Sequence, residues 1–339
     1  MRGQVMRKEM HEQPSVLARI ADRAPDVRAD VRAMMPRSLD GIVLIGRGSS
    51  DNAAVLGRYL TEIAARRPAG LAAPSVHTCY EARIDLHGYL AIALSQSGDT
   101  EEVVATCDSM RTMGARVIGI TNSAASQLMG TCDLLLLTEA GEERAIPATK
   151  TVTATMALLL VVASALGDGL RGSDSLDGLA PAVSEILEDG EAPHALAASW
   201  AGYDRCLVTA RGILYAAALE TALKIEETSR MLAEGISAAD LRHGPIAAVD
   251  SLLPVLALDG GPQFAAGNRE LVERLSRLGA PVATCAPGEG STFAMPTGLS
   301  EVLYAILATV RGQQLAYELS LSRGLDPDQP TGLTKVTQA

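Results

Sequence analysis

Aromatic side chains are scarce, at 3% of 339 residues with one tryptophan. That favours tightly packed helices on a sheet over a stacking surface for single-stranded nucleic acid. The formal net charge is −11, and no long basic run interrupts it, which argues against DNA or anionic membranes as partners. Cysteine is equally sparse. Cys79, Cys107, Cys132, Cys206 and Cys285 are odd in number, scattered, and form no Cys-x-x-Cys pair. Zinc and disulfide frameworks are thereby disfavoured, and reduced, mostly buried thiols of a cytoplasmic protein are expected. No apolar run reaches the ~20 residues that cross a bilayer. The longest, Met156 to Leu166, reads as a buried helix, and the charged opening through Glu12 lacks the apolar core of a signal peptide. There is no Gly-Lys-Ser/Thr P-loop, and Gly46-Arg47-Gly48-Ser49-Ser50-Asp51 lacks the third glycine of a dinucleotide fingerprint. A nicotinamide dehydrogenase is left as a distant alternative.

What is present is a large apolar fraction, 47%, against 20% charged residues, enough for two domains of moderate size. Short apolar runs alternate with helical patterns, the signature of parallel α/β architecture. Strands are expected at residues 41–45, 90–94, 117–120 and 134–137. A helix is expected from about Asp51, capped by Asp or Ser. A polar, glycine-containing stretch from Gly167 to Asp189 marks a boundary, after which the pattern repeats. Strands are expected at 206–210, 252–258 and 281–285, with helices after Arg211-Gly212, over 269–278 and over 299–321. Each half opens with a strand, an Arg-Gly turn and a helix, which suggests a duplicated module.

Three strand ends in the first half carry small hydroxyl residues: Ser49-Ser50, Ser95 to Thr100, and Thr121 to Ser123. Ligands of open α/β sheets collect at the carboxyl ends of strands, where helix N-termini suit a phosphate. One such loop would read as ordinary N-capping; three along one sheet edge favour a phosphate cradle. In the second half Glu220, Lys224 and Glu227 fall at i, i+4 and i+7 on one helical face, which Met231 and Glu234 continue. From spacing alone, a solvated salt-bridge ladder is the simpler reading. A carboxylate beside an ammonium on a partly buried face would instead move a proton between adjacent carbons. His243, on a loop before Gly244-Pro245, suits acid–base work. His11, His77, His87 and His194 have no such setting.

Four segments carry a resemblance: Met6 to Pro14, Ser95-Gln96-Ser97-Gly98-Asp99-Thr100, Ala218 to Pro245, and Asp326-Pro327-Asp328-Gln329-Pro330 through Lys335. Together they resemble the SIS (sugar isomerase) family, in particular the isomerase half of the glutamine–fructose-6-phosphate aminotransferases. The resemblance implies two doubly wound SIS domains with parallel sheets flanked by helices, at residues 36–185 and 190–323. A helical segment over 1–35 precedes them, and a tail over 324–339 contributes to the active site. It implies that Ser49 and Ser50 flank the sugar and that Ser95, Gln96, Ser97 and Thr100 hold the phosphate. Glu227 matches the base that moves the proton, His243 the ring-opening group supplied by the neighbouring subunit of a homodimer, and Lys335 the lysine that forms a Schiff base with the keto sugar. Lys224 and Glu234 match supporting residues, and Ile146 the sugar pocket. On this resemblance the Glu220–Lys224–Glu227 face is catalytic.

Two departures shape the expected activity. Position 2 is Arg, where the aminotransferases have a cysteine nucleophile on a glutaminase domain, so synthase activity is not expected. Ala148 stands where their sugar pocket has a serine, which alters how the substrate is read. The expected reaction is deamination of glucosamine 6-phosphate to fructose 6-phosphate and ammonia, without metal or organic cofactor. Dehydration of an amino or N-acetylamino sugar phosphate, removal of a fructosamine 6-phosphate adduct, and a non-catalytic sugar-phosphate sensor are the alternatives.

Overall fold

Strands buried on both faces of a parallel sheet need apolar side chains at nearly every position. The computed structural model, which describes residues 2–335, turns the short apolar runs expected as strands into such strands, while the longest run, Met156 to Leu166, is helical. In chain order its first half has α1 (Gln4–Met34), β1 (Gly41–Ile45), α2 (Ser49–Ala65), β2 (Ala69–Leu71), α3 (Pro74–Thr78), β3 (Tyr89–Leu94), α4 (Glu101–Thr112), β4 (Arg116–Thr121), α5 (Leu128–Thr131), β5 (Leu134–Leu137) and α6 (Lys150–Leu166). The second half has α7 (Leu179–Glu188), α8 (Glu191–Trp200), β6 (Arg205–Ala210), α9 (Tyr215–Ser229), β7 (Leu232–Ser237), α10 (Ala238–Arg242), β8 (Val255–Leu258), α11 (Pro262–Arg277), β9 (Val282–Pro287), β10 (Phe293–Met295) and α12 (Glu301–Ser322).

Two five-stranded sheets result, both parallel throughout, with orders β2-β1-β3-β4-β5 and β10-β9-β8-β6-β7. Numbered within its own half, the second order reads 2-1-3-4-5 from its β7 edge, the same as the first. The duplication expected from the repeated strand, turn and helix is thus present as topology. In each sheet the chain leaves the first strand toward one edge and returns on its other side. The switch points lie between β1 and β3 and between β6 and β8, where doubly wound sheets hold ligands.

The chain divides into two compact units. One holds the first sheet and comprises Ser15–Glu143 and Lys150–Leu176 among the described residues. Its α6 is buried from Lys150 to Ala165, with an apolar run from Met156 onward, and extends the expected Met156–Leu166 helix by more than a turn. Among the described residues the other unit comprises 2–14, Arg144–Thr149 and Asp177–Lys335 and holds the second sheet. Within it α9 and α12 approach closely: a Cβ at Gly312 would lie 2.0 Å from Thr221 Oγ1, and the Thr228 hydroxyl donates to the Ala316 carbonyl at 3.0 Å.

The boundaries differ from the sequence reading in instructive places. β8 begins at Val255 rather than Leu252, because Pro254 has no N–H for a ladder. The Gly167–Asp189 stretch contains a helix, α7, over its last part. The expected stripe from Glu220 to Glu234 ends early. Arg230 takes a left-handed conformation at φ 53° and terminates α9, so Glu234 lies on β7, paired in register with Leu207. The last four residues of the expected 324–339 tail lie outside the described residues.

Candidate active site

In the first-sheet unit, β3 ends in Ser95, whose N–H continues the ladder to Ile120 O at 3.1 Å. The chain then folds back on the serine side chain. Ser95 Oγ accepts the Gly98 N–H at 3.0 Å and shares a proton with Thr100 Oγ1 at 3.0 Å. Gly98 is at φ 71°, and a Cβ there would fall 2.3 Å from Ser126 Oγ, so the turn requires glycine. Ser97 Oγ accepts the Asp99 N–H at 3.2 Å. Thr100 is the N-cap of α4 but makes no side-chain capping bond, because its hydroxyl is turned to Ser95. The loop therefore stands ahead of a twelve-residue helix whose first-turn donors are not capped by that residue. Ser95 is buried, while Gln96, Ser97 and Thr100 are half-buried.

Across the switch point, α2 begins at Ser49, two residues earlier than expected, with Gly48 as its N-cap at φ 57°. Ser49 and Ser50 thus lie in the first turn rather than capping it. The third hydroxyl loop is mostly a brace. Thr121 Oγ1 and Asn122 N both donate to Gln96 O, at 3.2 and 3.0 Å. The Asn122 side chain accepts from Thr138 Oγ1 at 2.7 Å and Ala140 N at 2.9 Å, and donates to Gly141 O at 2.7 Å. Sequence reasoning missed one ion pair here. Arg47, on the β1–α2 turn, binds Glu102 in the first turn of α4 at 2.7 Å. The bond holds the Glu102 carboxyl below its usual range and pushes the guanidinium up. No spacing rule links residues 55 positions apart.

In the second-sheet unit, α9 carries the carboxylate–ammonium constellation. Glu220 and Lys224 are 0% and 1% exposed, so the solvated ladder is excluded. The Lys224 ammonium lies 3.5 Å from Glu220 Oε1 and hydrogen-bonds Glu227 Oε2. Burying one ammonium beside two carboxylates meets the desolvation cost with pairing. Glu227 is a turn further along, partly exposed, and lines a cleft of about 370 Å³ with Arg230, Asp326, Gln329 and Thr331. Arg230 donates to the Thr331 hydroxyl, tying the tail to the end of α9. Lys335 donates to the Ala145 carbonyl at 2.6 Å, in the segment that carries half-buried Ile146 and Ala148.

Of the expected site residues, Glu227 alone is among those that line this cleft. His243 is exposed at the end of α10, its N–H on Asp240 O at 2.9 Å, and it is not among the cleft-lining residues. Glu234 is exposed on β7. Among the described residues, no group of three or more His, Cys, Asp or Glu side chains is placed to hold a metal ion, and no helix is long and apolar enough to cross a membrane.

The sequence matches the model of the SIS domain at residues 38–165 and 201–294. It is 34% identical over 353 residues to glutamine–fructose-6-phosphate aminotransferase (isomerizing) of Gloeobacter violaceus. That alignment takes in 97% of the chain and 58% of the relative, so the chain spans little more than half the length of the relatives it matches. Its fold is similar to the C-terminal domain of glucosamine-fructose-6-phosphate aminotransferase from Francisella tularensis, with a TM-score of 0.85 and 21% identity, covering 96% and 98% of the two chains. It is also similar to glucosamine-6-phosphate deaminase from Thermotoga maritima, with a TM-score of 0.71 and 24% identity, covering 97% and 100%.

Proposed function

The chain belongs to the SIS domain family, and on that premise we propose that it is a phosphosugar isomerase of the deaminating kind, converting glucosamine 6-phosphate and water to fructose 6-phosphate and ammonia. The observation that carries the reading is Glu227, a carboxylate on a cleft wall, hydrogen-bonded to an ammonium that is itself buried. That arrangement holds a proton acceptor in one orientation at a ligand-accessible surface, as general-base chemistry requires.

The Ser95–Thr100 loop and the first turn of α2 take the phosphate end of the sugar. His243 opens the ring by moving a proton from the carbon-1 hydroxyl to the ring oxygen. Glu227 then removes the proton from carbon 2 and returns it to carbon 1, while one amine proton passes to the carbon-1 oxygen, which turns the aldehyde into a hydroxymethyl group and the carbon-2 amine into an imine. Water adds to that imine and ammonia leaves, so the atoms balance without a redox partner. Lys224 holds the Glu227 carboxylate in place, and Lys335 is the amine that meets the keto carbon. The chain works as a homodimer in which each cleft receives His243 from the neighbouring subunit. The exposure of His243 leaves its side chain open to such a neighbour.

The test is exchange of the carbon-2 hydrogen of glucosamine 6-phosphate in deuterated water, followed by NMR beside an ammonia assay. Exchange with ammonia release is expected. Tight binding with neither exchange nor turnover, across glucosamine, galactosamine and their N-acetyl 6-phosphates, would reduce the chain to a sugar-phosphate sensor.

A further inference from the structure

Ala145 is held at both ends of its own residue. Its N–H, with that of Arg144, is accepted by Glu9 on α1, at 3.2 Å and 2.5 Å. Its carbonyl accepts the Lys335 ammonium at 2.6 Å. Glu9 is 4% exposed, and a buried carboxylate receiving two peptide N–H groups fixes the peptide between them. The tail that carries Lys335 is tied to the same helix. Asp326 accepts the Gly3 N–H at 3.0 Å, and Asp328 accepts those of Val5 and Met6 at 3.0 and 2.8 Å. These are donors that a helix start leaves unpaired, and its positive end suits two aspartates. Arg2 adds a bond to the Gly324 carbonyl. The opening turns of α1 thus bind the tail and, one turn on, the peptide that receives the tail's lysine.

We infer that Glu9 is a positioning residue for Lys335: by fixing the Arg144–Ala145 peptide, it sets where the Ala145 carbonyl holds the tail ammonium. The function of that ammonium rests on the reaction proposed above; the positioning itself does not. Acetic anhydride labelling of Lys335, read by peptide mass spectrometry, needs no turnover. Glu9→Gln keeps the shape and replaces charge-assisted acceptance by a neutral one. It should raise Lys335 labelling about five-fold while exposed Lys8, on the same helix, labels as before. In the carbon-2 exchange assay it should lower kcat with KM nearly unchanged, and add no further loss to Lys335→Met. If Glu9→Gln does not fold, Lys335→Met decides. That tail variant should speed amide exchange over residues 140–149 about five-fold, because coupling between two bonds on one residue is reciprocal. Unchanged Lys335 labelling in folded Glu9→Gln, or unchanged amide exchange where only the tail variant folds, overturns the role. Absence of turnover in the wild type, with labelling changed as expected, strikes the proposed reaction and leaves the positioning role standing.

Discussion

The Lys224 ammonium and the Glu227 carboxylate are hydrogen-bonded within one turn of α9, the lysine out of water and the glutamate on the cleft wall. Glu220, fully buried a turn before, supplies a second carboxylate to the same ammonium. One charge therefore faces the cleft while its partners are fixed behind it.

The cleft-facing charge is tested by Glu227→Gln, which keeps size and hydrogen bonding but removes proton-accepting capacity. General-base contributions run at ~10²–10⁴-fold, so carbon-2 exchange should fall on that scale while calorimetry shows little change in substrate affinity. A loss confined to affinity would move Glu227 from the chemistry to binding.

The buried partners carry a stability expectation. Lys224→Met leaves the fully buried Glu220 carboxylate without its cation, and should cost about 3–5 kcal/mol in urea unfolding. Glu220→Gln combined with Lys224→Met should cost clearly less than the sum of the single changes, because the double variant buries no uncompensated charge from that pair. Additive costs would show that the two residues do not act as a pair.

The proposed phosphate role of the Ser95–Thr100 loop can be tested apart from catalysis. Ser97→Ala should weaken binding of glucosamine 6-phosphate, and unphosphorylated glucosamine should bind far more weakly than its 6-phosphate in calorimetry. Gly98→Ala places a Cβ against Ser126 and forces a left-handed residue, so phosphate affinity and stability should fall together. Equal affinities for the sugar with and without phosphate would remove the loop from the site.

Seven strands were legible because each is a largely apolar run, such as the Leu90–Leu94 part of β3 or Cys206–Ala210 of β6, which only Thr209 interrupts. The three that were not, β2, β7 and β10, are all sheet-edge strands. An edge strand pairs on one side only, and Ala69–Leu71 or Leu232–Ser237, with a glycine in each and Glu234 in the second, needs no such run. Residue spacing put Glu220, Lys224 and Glu227 on one face but could not say which side of the helix is dry; packing against α12 decides that. The resembling segment Met6 to Pro14 contains Glu9, but no spacing rule could give its contacts, since its partners are backbone N–H groups 135 and 136 residues away.

Burial makes three thiols an alkaline probe of the fold. Cys107, Cys206 and Cys285 are pushed from 9.0 up to about 12, first of all by desolvation. The unfolded chain releases these protons near pH 9 and the folded chain keeps them, so the unfolded state binds fewer protons across that window. Stability contributed by the protonated thiols is whole below about pH 8.5 and declines as pH rises toward 12, by up to about 4 kcal/mol per pH unit. Removing one of them, as in Cys206→Ala, should shallow the slope by about a third in unfolding measured from pH 9 to 11. In the native state at neutral pH, exposed Cys79 should react with a thiol reagent while the three buried thiols stay protected until unfolding.

The proposed division of a site between subunits makes a quantitative prediction from symmetry. His243→Ala and Glu227→Gln chains should each be inactive alone. When they mix at random, half the dimers pair one chain of each kind. If each site takes Glu227 from one chain and His243 from the other, one site in such a dimer has both residues intact and the second has neither. The mixture should then recover about one quarter of wild-type turnover, and no more, because one site in four is whole. If both residues act within one chain, every site in the mixture lacks one of them and nothing is recovered. Native mass spectrometry of the mixture establishes that the chains have exchanged. Full exchange without recovery then places His243 in the cleft of its own chain or outside the reaction, and single-turnover ring opening by the His243→Ala protein separates those two.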